Sequence, residues 1–243
     1  MYKKIQGNGM NLKNKVAIIT GASKGIGKAA ALALSKFGVK TALIARDERL
    51  LKSVASNIER EGEECFVYPA DLCLEDTIKK FVAATHEKFG HIDILVNNAG
   101  IGYFNPVADL STENWDALFN LNVRSLFLMT RTCLPHLRKA GESVIVNVAS
   151  LAGKNAFAGG AGYAATKHAV IGFSRCLMLE ERKNGVRVLC ICPGSVDTSF
   201  FASRPKNTDR ILKPEDVVES IIHMIKLPQR AMVSEIDIRP SDP

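Results

Sequence analysis

Val16-Ala17-Ile18-Ile19-Thr20-Gly21-Ala22-Ser23-Lys24-Gly25-Ile26-Gly27 decides the fold of this chain, and an alanine-rich segment follows it from Lys28 to Phe37. The apolar, β-branched run before Gly21 predicts a buried strand, the three glycines predict a tight turn, and the alanine-rich segment predicts a helix. A strand that passes through a glycine turn into a helix is the context that a phosphate-binding turn requires.

The three glycines of this turn have separate roles. Gly21 permits the tight turn, Gly25 lets backbone approach a phosphate, and Gly27 allows the helix to pack closely against the strand. Free N–H groups at the start of the helix attract an anion, so we expect a pyrophosphate here. The spacing is GxxxGxG rather than GxGxxG, and a glycine turn without any ligand is the alternative.

A tyrosine and a lysine one helical turn apart form a second pattern. Tyr163 and Lys167 share a helix face in Gly162-Tyr163-Ala164-Ala165-Thr166-Lys167-His168, and Ser150 precedes them in Asn147-Val148-Ala149-Ser150. A nearby ammonium favours the ionised form of a phenol, whose pKa is otherwise about 10. We therefore predict that Lys167 lowers the pKa of Tyr163 and that the pair acts as an acid and base, although the same spacing also occurs in surface pairs without function.

Six elements of the sequence together resemble the short-chain dehydrogenase/reductase family. In chain order they are Thr20-Gly21-x-x-x-Gly25-Ile26-Gly27, Asn97-Asn98-Ala99-Gly100, Asn122, Ser150, Tyr163-x-x-x-Lys167 and Pro193-Gly194. They follow the family's order and separations and span nearly the whole chain. The resemblance implies a Rossmann fold and an oxidoreductase that uses NAD or NADP on an alcohol or carbonyl group, and it does not identify the substrate.

Alternating strand and helix patterns predict the architecture. We expect strands near 15–20, 39–45, 64–70, 93–97, 142–149, 186–192 and 235–238, and helices near 25–37, 47–61, 74–89, 112–138, 161–183 and 214–226. Short helical crossovers give a parallel sheet, so we predict a single-domain α/β fold with a doubly wound, seven-stranded parallel sheet and helices on both faces. Residues 1–10 are predicted to be a loose tail before one catalytic domain at 11–243.

Ligands of such a sheet bind at the carboxyl ends of the strands. The resemblance assigns Asp71 and Leu72 to the adenine and Pro193-Gly194 to the carboxamide, whereas Asp71 is equally suited to start a helix. The predicted cofactor-binding residues are Gly21, Ser23, Lys24, Gly25, Ile26, Gly27, Arg46, Asp71, Leu72, Asn98, Ala99, Gly100, Tyr163, Lys167, Pro193, Gly194, Val196 and Thr198.

Arg46, directly after the second predicted strand, bears on the choice between NADP and NAD. A guanidinium can hold a 2′-phosphate with paired hydrogen bonds, whereas an acidic side chain at this point would accept from a ribose 2′-hydroxyl. Arg46 therefore favours NADP, and Lys24 supports the same choice. If the strand ended one residue later, Asp47 would take this position and NAD would be preferred.

The resemblance assigns the catalytic roles to Asn122, Ser150, Tyr163 and Lys167. Tyr163 would exchange the proton with the substrate oxygen and Ser150 would hydrogen-bond that oxygen, while Lys167 would also bind the nicotinamide ribose. Asn122 would position a water that links Lys167 to solvent, or simply pack its helix. The expected enzyme is an NADP(H)-dependent carbonyl reductase, including the 3-oxoacyl type; the alternative is a non-catalytic NADP-binding sensor or scaffold.

Composition excludes several other classes of function. The net charge is +7, but Lys and Arg are interspersed with Asp and Glu and no basic run alternates with aromatics, so no nucleic acid is expected. A cluster of Arg204, Lys206, Arg210 and Lys213 could steer an anionic cofactor or acyl carrier, or be a solvated face. The cysteines and histidines show no metal-ligand spacing.

The partners follow from the same patterns. No apolar segment is long enough to span a bilayer and no signal peptide is present, so we predict a cytoplasmic protein without a membrane partner. The helices near 112–138 and 161–183 carry broad apolar stripes, which predict a homodimer or homotetramer. These stripes include Leu126, Phe127, Met129, Phe173 and Leu177. Phe104, Phe157, Phe200 and Phe201 are candidate walls of a substrate pocket.

Overall fold

Seven parallel strands form one sheet, as the sequence predicts, and when numbered along the chain they lie in the order 3-2-1-4-5-6-7. The computed structural model describes residues 9–200 and 210–241. The strands are β1 (Val16–Thr20), β2 (Lys40–Ala45), β3 (Cys65–Pro69), β4 (Ile94–Asn97), β5 (Ser143–Val148), β6 (Val186–Pro193) and β7 (Glu235–Ile238). The predicted strand positions agree with these bounds to within two residues at each end.

Helices connect the strands along the chain. They are α1 (Gly25–Ser35), α2 (Glu48–Arg60), α3 (Glu75–Phe89), α4 (Thr112–Phe119), α5 (Ser125–Lys139), α6 (Ala161–Glu181) and α7 (Pro214–Lys226). None of the helices among the described residues is long and apolar enough to cross a membrane.

Successive residues of the central strands face opposite sides of the sheet, and each side is covered by helices. Ile19 packs into a core with α1, α2 and α7, whereas Ile18 packs into a second core with α3, α5 and α6. Both side chains are fully buried. Because a parallel sheet is covered on both faces, its strands are continuous apolar runs rather than alternating ones, and this is why the sequence predicted a doubly wound sheet.

The order of the strands creates a crevice at one end of the sheet. From β1 the chain builds outward through β2 and β3, and it then returns to place β4 on the other side of β1. The loops that leave β1 and β4 at their carboxyl ends therefore diverge to opposite faces. Such a switch point is where open α/β sheets bind their ligands.

The predicted helix at 112–138 is not continuous. A π-helical turn at Asn120–Arg124 separates α4 from α5, and the N–H of Ser125 donates to the carbonyl of Asn120, five residues earlier. Apolar periodicity does not reveal a turn wider by one residue, which explains why the prediction was wrong here. Single π turns within helices are frequent at functional sites.

The predicted boundary between tail and domain also needs a correction. Met10 is 3% exposed and lies in the same core cluster as Ile19. The guanidinium of Arg187 donates to its sulfur at 3.6 Å. Met10 therefore packs with the domain, and residues 1–8 lie outside the described part of the chain.

Candidate active site

A cleft of about 1720 Å³ runs along the carboxyl ends of the strands. Of the residues predicted to bind the cofactor or take part in catalysis, all but two line this cleft. The two exceptions are Gly27 and Asn122, which lie behind it. The fold therefore gathers residues from Gly21 to Thr198 into one concave site.

The glycine turn has the backbone that its sequence predicts. Gly21 and Gly25 have φ angles of 64° and 56°, which favour glycine over residues with a side chain. A Cβ on Gly25 would lie 3.1 Å from the methyl carbon of Thr198, so Thr198 stands directly over the turn. The following helix has no side-chain cap at Lys24 and no acidic residue in its first turn, which leaves its N–H groups suited to an anion.

Gly27 supports the turn from behind. A Cβ at this position would overlap the carbonyl oxygen of Gly21 and lie 2.5 Å from the side-chain nitrogen of Asn98. That nitrogen donates to the carbonyls of Thr20 and Gly21 at 3.0 and 3.3 Å. Asn98 therefore uses its side chain to join the ends of β1 and β4, and Gly27 is a packing residue rather than a lining one.

The end of β2 resolves the ambiguity between Arg46 and Asp47. The strand ends at Ala45, so Arg46 is the first residue beyond it, exposed at the edge of the cleft. Asp47 is the N-cap of α2, and its carboxylate accepts a 2.9 Å hydrogen bond from the N–H of Leu50. The structure therefore contradicts the alternative in which β2 ends one residue later and Asp47 is the first residue beyond it.

Asp71 and Leu72 follow β3 at the same edge of the sheet. The carboxylate of Asp71 accepts a hydrogen bond from the N–H of Cys73 at 2.9 Å, and α3 begins at Glu75. Asp71 therefore orders the turn before the helix without being its N-cap. Both Asp71 and Leu72 line the cleft.

Ser150 and Tyr163 line the half of the cleft that lies across the switch point from Arg46 and Asp71. Ser150 lies two residues beyond the end of β5 at Val148, and its hydroxyl accepts from the N–H of Ala152 at 3.1 Å. Tyr163 lies in the first turn of α6 and is 9% exposed. Burial raises the pKa of Tyr163 to about 12, while its hydrogen bond with Ser150 acts in the opposite direction.

Lys167 lies one turn further along α6 and is 5% exposed. Its ammonium nitrogen is 5.7 Å from the centre of the Tyr163 ring and donates a 3.0 Å hydrogen bond to the carbonyl of Val148. Burial lowers the pKa of Lys167 to about 8. The prediction that Lys167 lowers the pKa of Tyr163 is therefore wrong for this structure, because desolvation dominates both groups.

Asn122 ties the loop after β4 to α6 from within the π-helical turn. Its side-chain oxygen accepts from the N–H of Ile101 at 2.8 Å, and its nitrogen donates to the carbonyl of Ile101 and the hydroxyl of Thr166 at 2.9 and 3.0 Å. A Cβ on Gly100 would lie 3.2 Å from the Asn122 oxygen and 3.8 Å from the Lys167 nitrogen. The amide side chain thus ties the loop after β4 to α6, with both of its N–H donors and one lone pair of its oxygen engaged.

The end of β6 is fixed by β7. Pro193 pairs with Ile238 in the parallel ladder, and the N–H of Gly194 donates to the carbonyl of Ile238 at 2.8 Å. Val196 forms an isolated bridge with Leu212. Residues 201–209 lie outside the described part of the chain, and these include the candidate pocket residue Phe201 and two members of the basic cluster, Arg204 and Lys206.

Sequence reasoning missed part of the cleft. One face of α4 lines it through Glu113, Asp116 and Ala117, and Arg239 and Pro240 contribute from beyond β7. Tyr103 also lines the cleft from the loop after β4. No local pattern marks these residues, because they become neighbours of the site only when the strands have paired.

Comparison with known proteins agrees with this geometry. The sequence model of the short chain dehydrogenase family matches residues 15–209. An uncharacterized oxidoreductase of Staphylococcus epidermidis is 32% identical over 229 residues, which cover 94% of this chain and 98% of the relative.

Solved structures show the same likeness. An alcohol dehydrogenase of the archaeon Thermococcus sibiricus, complexed with 5-hydroxy-NADP, superposes with a TM-score of 0.89 at 32% identity, covering 94% of this chain and 97% of the other. A 3-ketoacyl-(acyl-carrier-protein) reductase of Brucella melitensis, complexed with NADH, gives 0.87 at 33% identity, covering 95% and 98%.

This chain belongs to the short-chain dehydrogenase/reductase family. It is an oxidoreductase of the class that acts on CH–OH and C=O groups.

Proposed function

We propose that this protein is an NADP(H)-dependent carbonyl reductase that acts on a small carbonyl or alcohol substrate, with Tyr163 as the acid and base. One observation carries the proposal. The hydroxyls of Ser150 and Tyr163 interact within the same cleft as the glycine turn, and the buried ammonium of Lys167 lies one helical turn away. A binding protein would have no need of these three groups together.

The residues of the cleft fit a dinucleotide. The uncapped N–H groups at the start of α1 and the close approach at Gly25 suit a pyrophosphate, with Thr198 above them. Arg46 and Lys24 would hold the 2′-phosphate of NADP, since Asp47 is engaged by Leu50. The NADP analogue in the Thermococcus structure supports this preference, whereas the Brucella structure holds NADH.

The bound cofactor would supply the hydride to the carbonyl carbon. Tyr163 would donate its proton to the carbonyl oxygen as negative charge develops there, and Ser150 would donate a hydrogen bond to the same oxygen. With its pKa raised, the phenol is protonated at neutral pH and can serve as the acid in reduction. We assign Lys167 to the ribose hydroxyls and to the return of the proton from solvent, and Asn122 to the support of Lys167.

Replacing Tyr163 by Phe tests the proposed acid. With a panel of ketones, aldehydes and 3-oxoesters, we expect Tyr163→Phe to lower kcat by about 10²–10⁴-fold, since general acid catalysis contributes on this scale. The affinity for NADPH, followed by fluorescence, should change little. Tyr68→Phe, in the core beside Phe81, is the matched control and should keep full activity.

Two results would count against this proposal. Undiminished turnover by Tyr163→Phe would remove the phenol from the mechanism. NADPH binding by the wild type without turnover of any carbonyl would favour the sensor or scaffold.

We also propose that the chain forms a homodimer or homotetramer in the cytoplasm. The sequence argument for an oligomer weakens, because Leu126, Met129 and Leu177 are buried in the chain's own core. Phe127 and Leu179 still expose 41% and 59% of their surface on α5 and α6. Size-exclusion chromatography with light scattering would decide, and a monomer at every concentration would contradict the proposal.

A further inference from the structure

Two phenylalanine rings contact Tyr163 in the cleft, and a third packs against one of them. Phe104 lies edge-on to the phenol with 5.4 Å between the ring centroids, and Phe200 lies 5.7 Å from it at an interplanar angle of 55°. Phe104 also contacts Phe157 at 6.1 Å and Phe200 at 6.4 Å. We call Phe104, Phe157 and Phe200 the aromatic wall, and all three line the cleft.

The aromatic wall is not an extension of the hydrophobic core. Its three residues come from three separate connections, after β4, after β5 and after β6. Phe104 and Phe157 expose 37% and 46% of their surface, whereas the largest core side chains expose less than 2%. Large apolar side chains that stay exposed together in a cleft mark a site for an apolar ligand.

Two glycines allow the rings to lie directly on backbone. A Cβ on Gly102 would lie 2.7 Å from the ring of Phe104 and 2.9 Å from that of Phe200. A Cβ on Gly160 would overlap the ring of Phe157. The positions of the rings thus depend on the backbone beneath them as well as on each other, so the wall is shaped before a ligand arrives.

The loops that carry Phe104 and Phe157 bring no charge into the cleft. Segments 101–105 and 150–157 are fully described, and Lys154 is their one charged residue. Lys154 does not line the cleft, because its ammonium pairs with Glu235 at 2.6 Å and Asp237 at 2.5 Å. A charged substituent that packs against these two loops would lose its hydration without gaining a partner from them, since the charged residues of the cleft lining, such as Arg210 and Arg239, come from other segments.

We propose that the substrate is a neutral carbonyl compound with a planar aromatic ring next to the carbonyl, and that this ring packs against the aromatic wall. The inference rests on the proposed function, since the bond to Tyr163 fixes where the carbonyl oxygen lies. Aromatic rings prefer edge-to-face and offset arrangements, and Phe104 already makes an edge-to-face contact with Tyr163. A linear 3-oxoacyl thioester would offer no ring for these contacts.

The holoenzyme tests this with a matched series of keto esters. Ethyl benzoylformate carries the ring, ethyl pyruvate lacks it, a para-carboxylate on the ring adds charge, and S-acetoacetyl-N-acetylcysteamine represents the 3-oxoacyl class. We expect kcat/KM for ethyl benzoylformate to exceed that for ethyl pyruvate by about tenfold or more, as one or two aromatic contacts would give. The para-carboxylate should abolish this gain. Equal or faster turnover of ethyl pyruvate or the thioester would overturn the inference.

Variants of the wall give a second readout. Phe104→Leu and Phe157→Leu should raise KM for ethyl benzoylformate by about three- to tenfold and leave KM for ethyl pyruvate nearly unchanged. Phe37→Leu is the matched control, because Phe37 is 41% exposed at the end of α1 and does not line the cleft. Equal effects on the two substrates, or no effect on either, would contradict a ring-binding role.

Binding without turnover separates this inference from the proposed function. Tyr163→Phe saturated with NADP⁺ would be titrated calorimetrically with ethyl mandelate and with ethyl lactate, the two alcohol products. Tighter binding of ethyl mandelate, with no turnover of any carbonyl by the wild type, would contradict the proposed function but support the aromatic site. Turnover with no preference for substrates that carry the ring would keep the proposed function and contradict the aromatic site. Equal binding of the two alcohols would likewise contradict the aromatic site.

Discussion

The ammonium of Lys167 donates its 3.0 Å hydrogen bond to the backbone carbonyl of Val148, at the end of β5. A positive charge is thus held beside the active site by a neutral partner in a buried position, where its desolvation is only partly offset. The lowered pKa of Lys167 is the consequence. This arrangement links the chemistry of the site to the stability of the fold.

The lowered pKa predicts how stability depends on pH. Below pH 8 the folded and unfolded states both carry the proton on Lys167, and between about 8 and the unfolded value of 10.5 only the unfolded state does. The free energy of unfolding contributed by this group therefore rises with pH through that window. Lys167→Met should stabilise the nucleotide-free protein by about 1–3 kcal/mol at pH 7, and by much less at pH 10.

Urea unfolding at the two pH values measures this difference. Lys52→Met is the control, because the Lys52 side chain is 65% exposed and pairs with Glu48 across one helical turn. It should change stability by a few tenths of a kcal/mol at either pH. A gain for Lys167→Met that is the same at pH 7 and pH 10 would show that burial does not depress this pKa.

Two glycines in helices should respond to alanine in opposite directions. Gly27→Ala would push a methyl group into the carbonyl of Gly21, and should cost about 1–3 kcal/mol or more, as overpacking does. Gly172→Ala in α6 meets nothing within 4 Å and should stabilise the protein by about 0.5–1 kcal/mol. Thermal or denaturant unfolding compares them. Equal effects would mean that the close contact behind the turn is absent.

Arg46 should decide the preference between the two nicotinamide cofactors. Arg46→Ala removes the proposed hydrogen bonds to a 2′-phosphate, and should raise KM for NADPH by about 10–100-fold while changing KM for NADH little. Arg49→Ala is the control, because Arg49 lies three residues further along the chain and is also exposed but does not line the cleft. Steady-state kinetics with both cofactors provide the measurement, and an unchanged ratio of the two KM values would assign the preference elsewhere.

Asn122 should behave as a positioning residue. Asn122→Asp keeps the acceptor for the N–H of Ile101 but turns an oxygen towards the Ile101 carbonyl and Thr166, so the free energy of unfolding should fall by about 1–3 kcal/mol. Because the loop at Ile101 and helix α6 would then separate, kcat should fall with little change in NADPH affinity. A stable variant with lowered kcat would instead indicate a direct role in proton transfer.

Local patterns in the sequence were sufficient for the sheet, most helix bounds and the glycine turn. The strand from Val16 to Thr20 is apolar because both faces are covered, and the positive φ angles at Gly21 and Gly25 require glycine. Such features depend on residues close together in the chain. The same holds for Tyr163 and Lys167, which share a helix face whatever the rest of the chain does.

Contacts between distant segments decided the rest. The pKa values of Tyr163 and Lys167 follow from burial, which outweighs their proximity on the helix. The capping role of Asp47 depends on where β2 ends against its neighbours, and the aromatic wall exists only where three loops meet. Desolvation and packing depend on which atoms surround a group, and for these residues the surrounding atoms come from strands and loops far away in sequence.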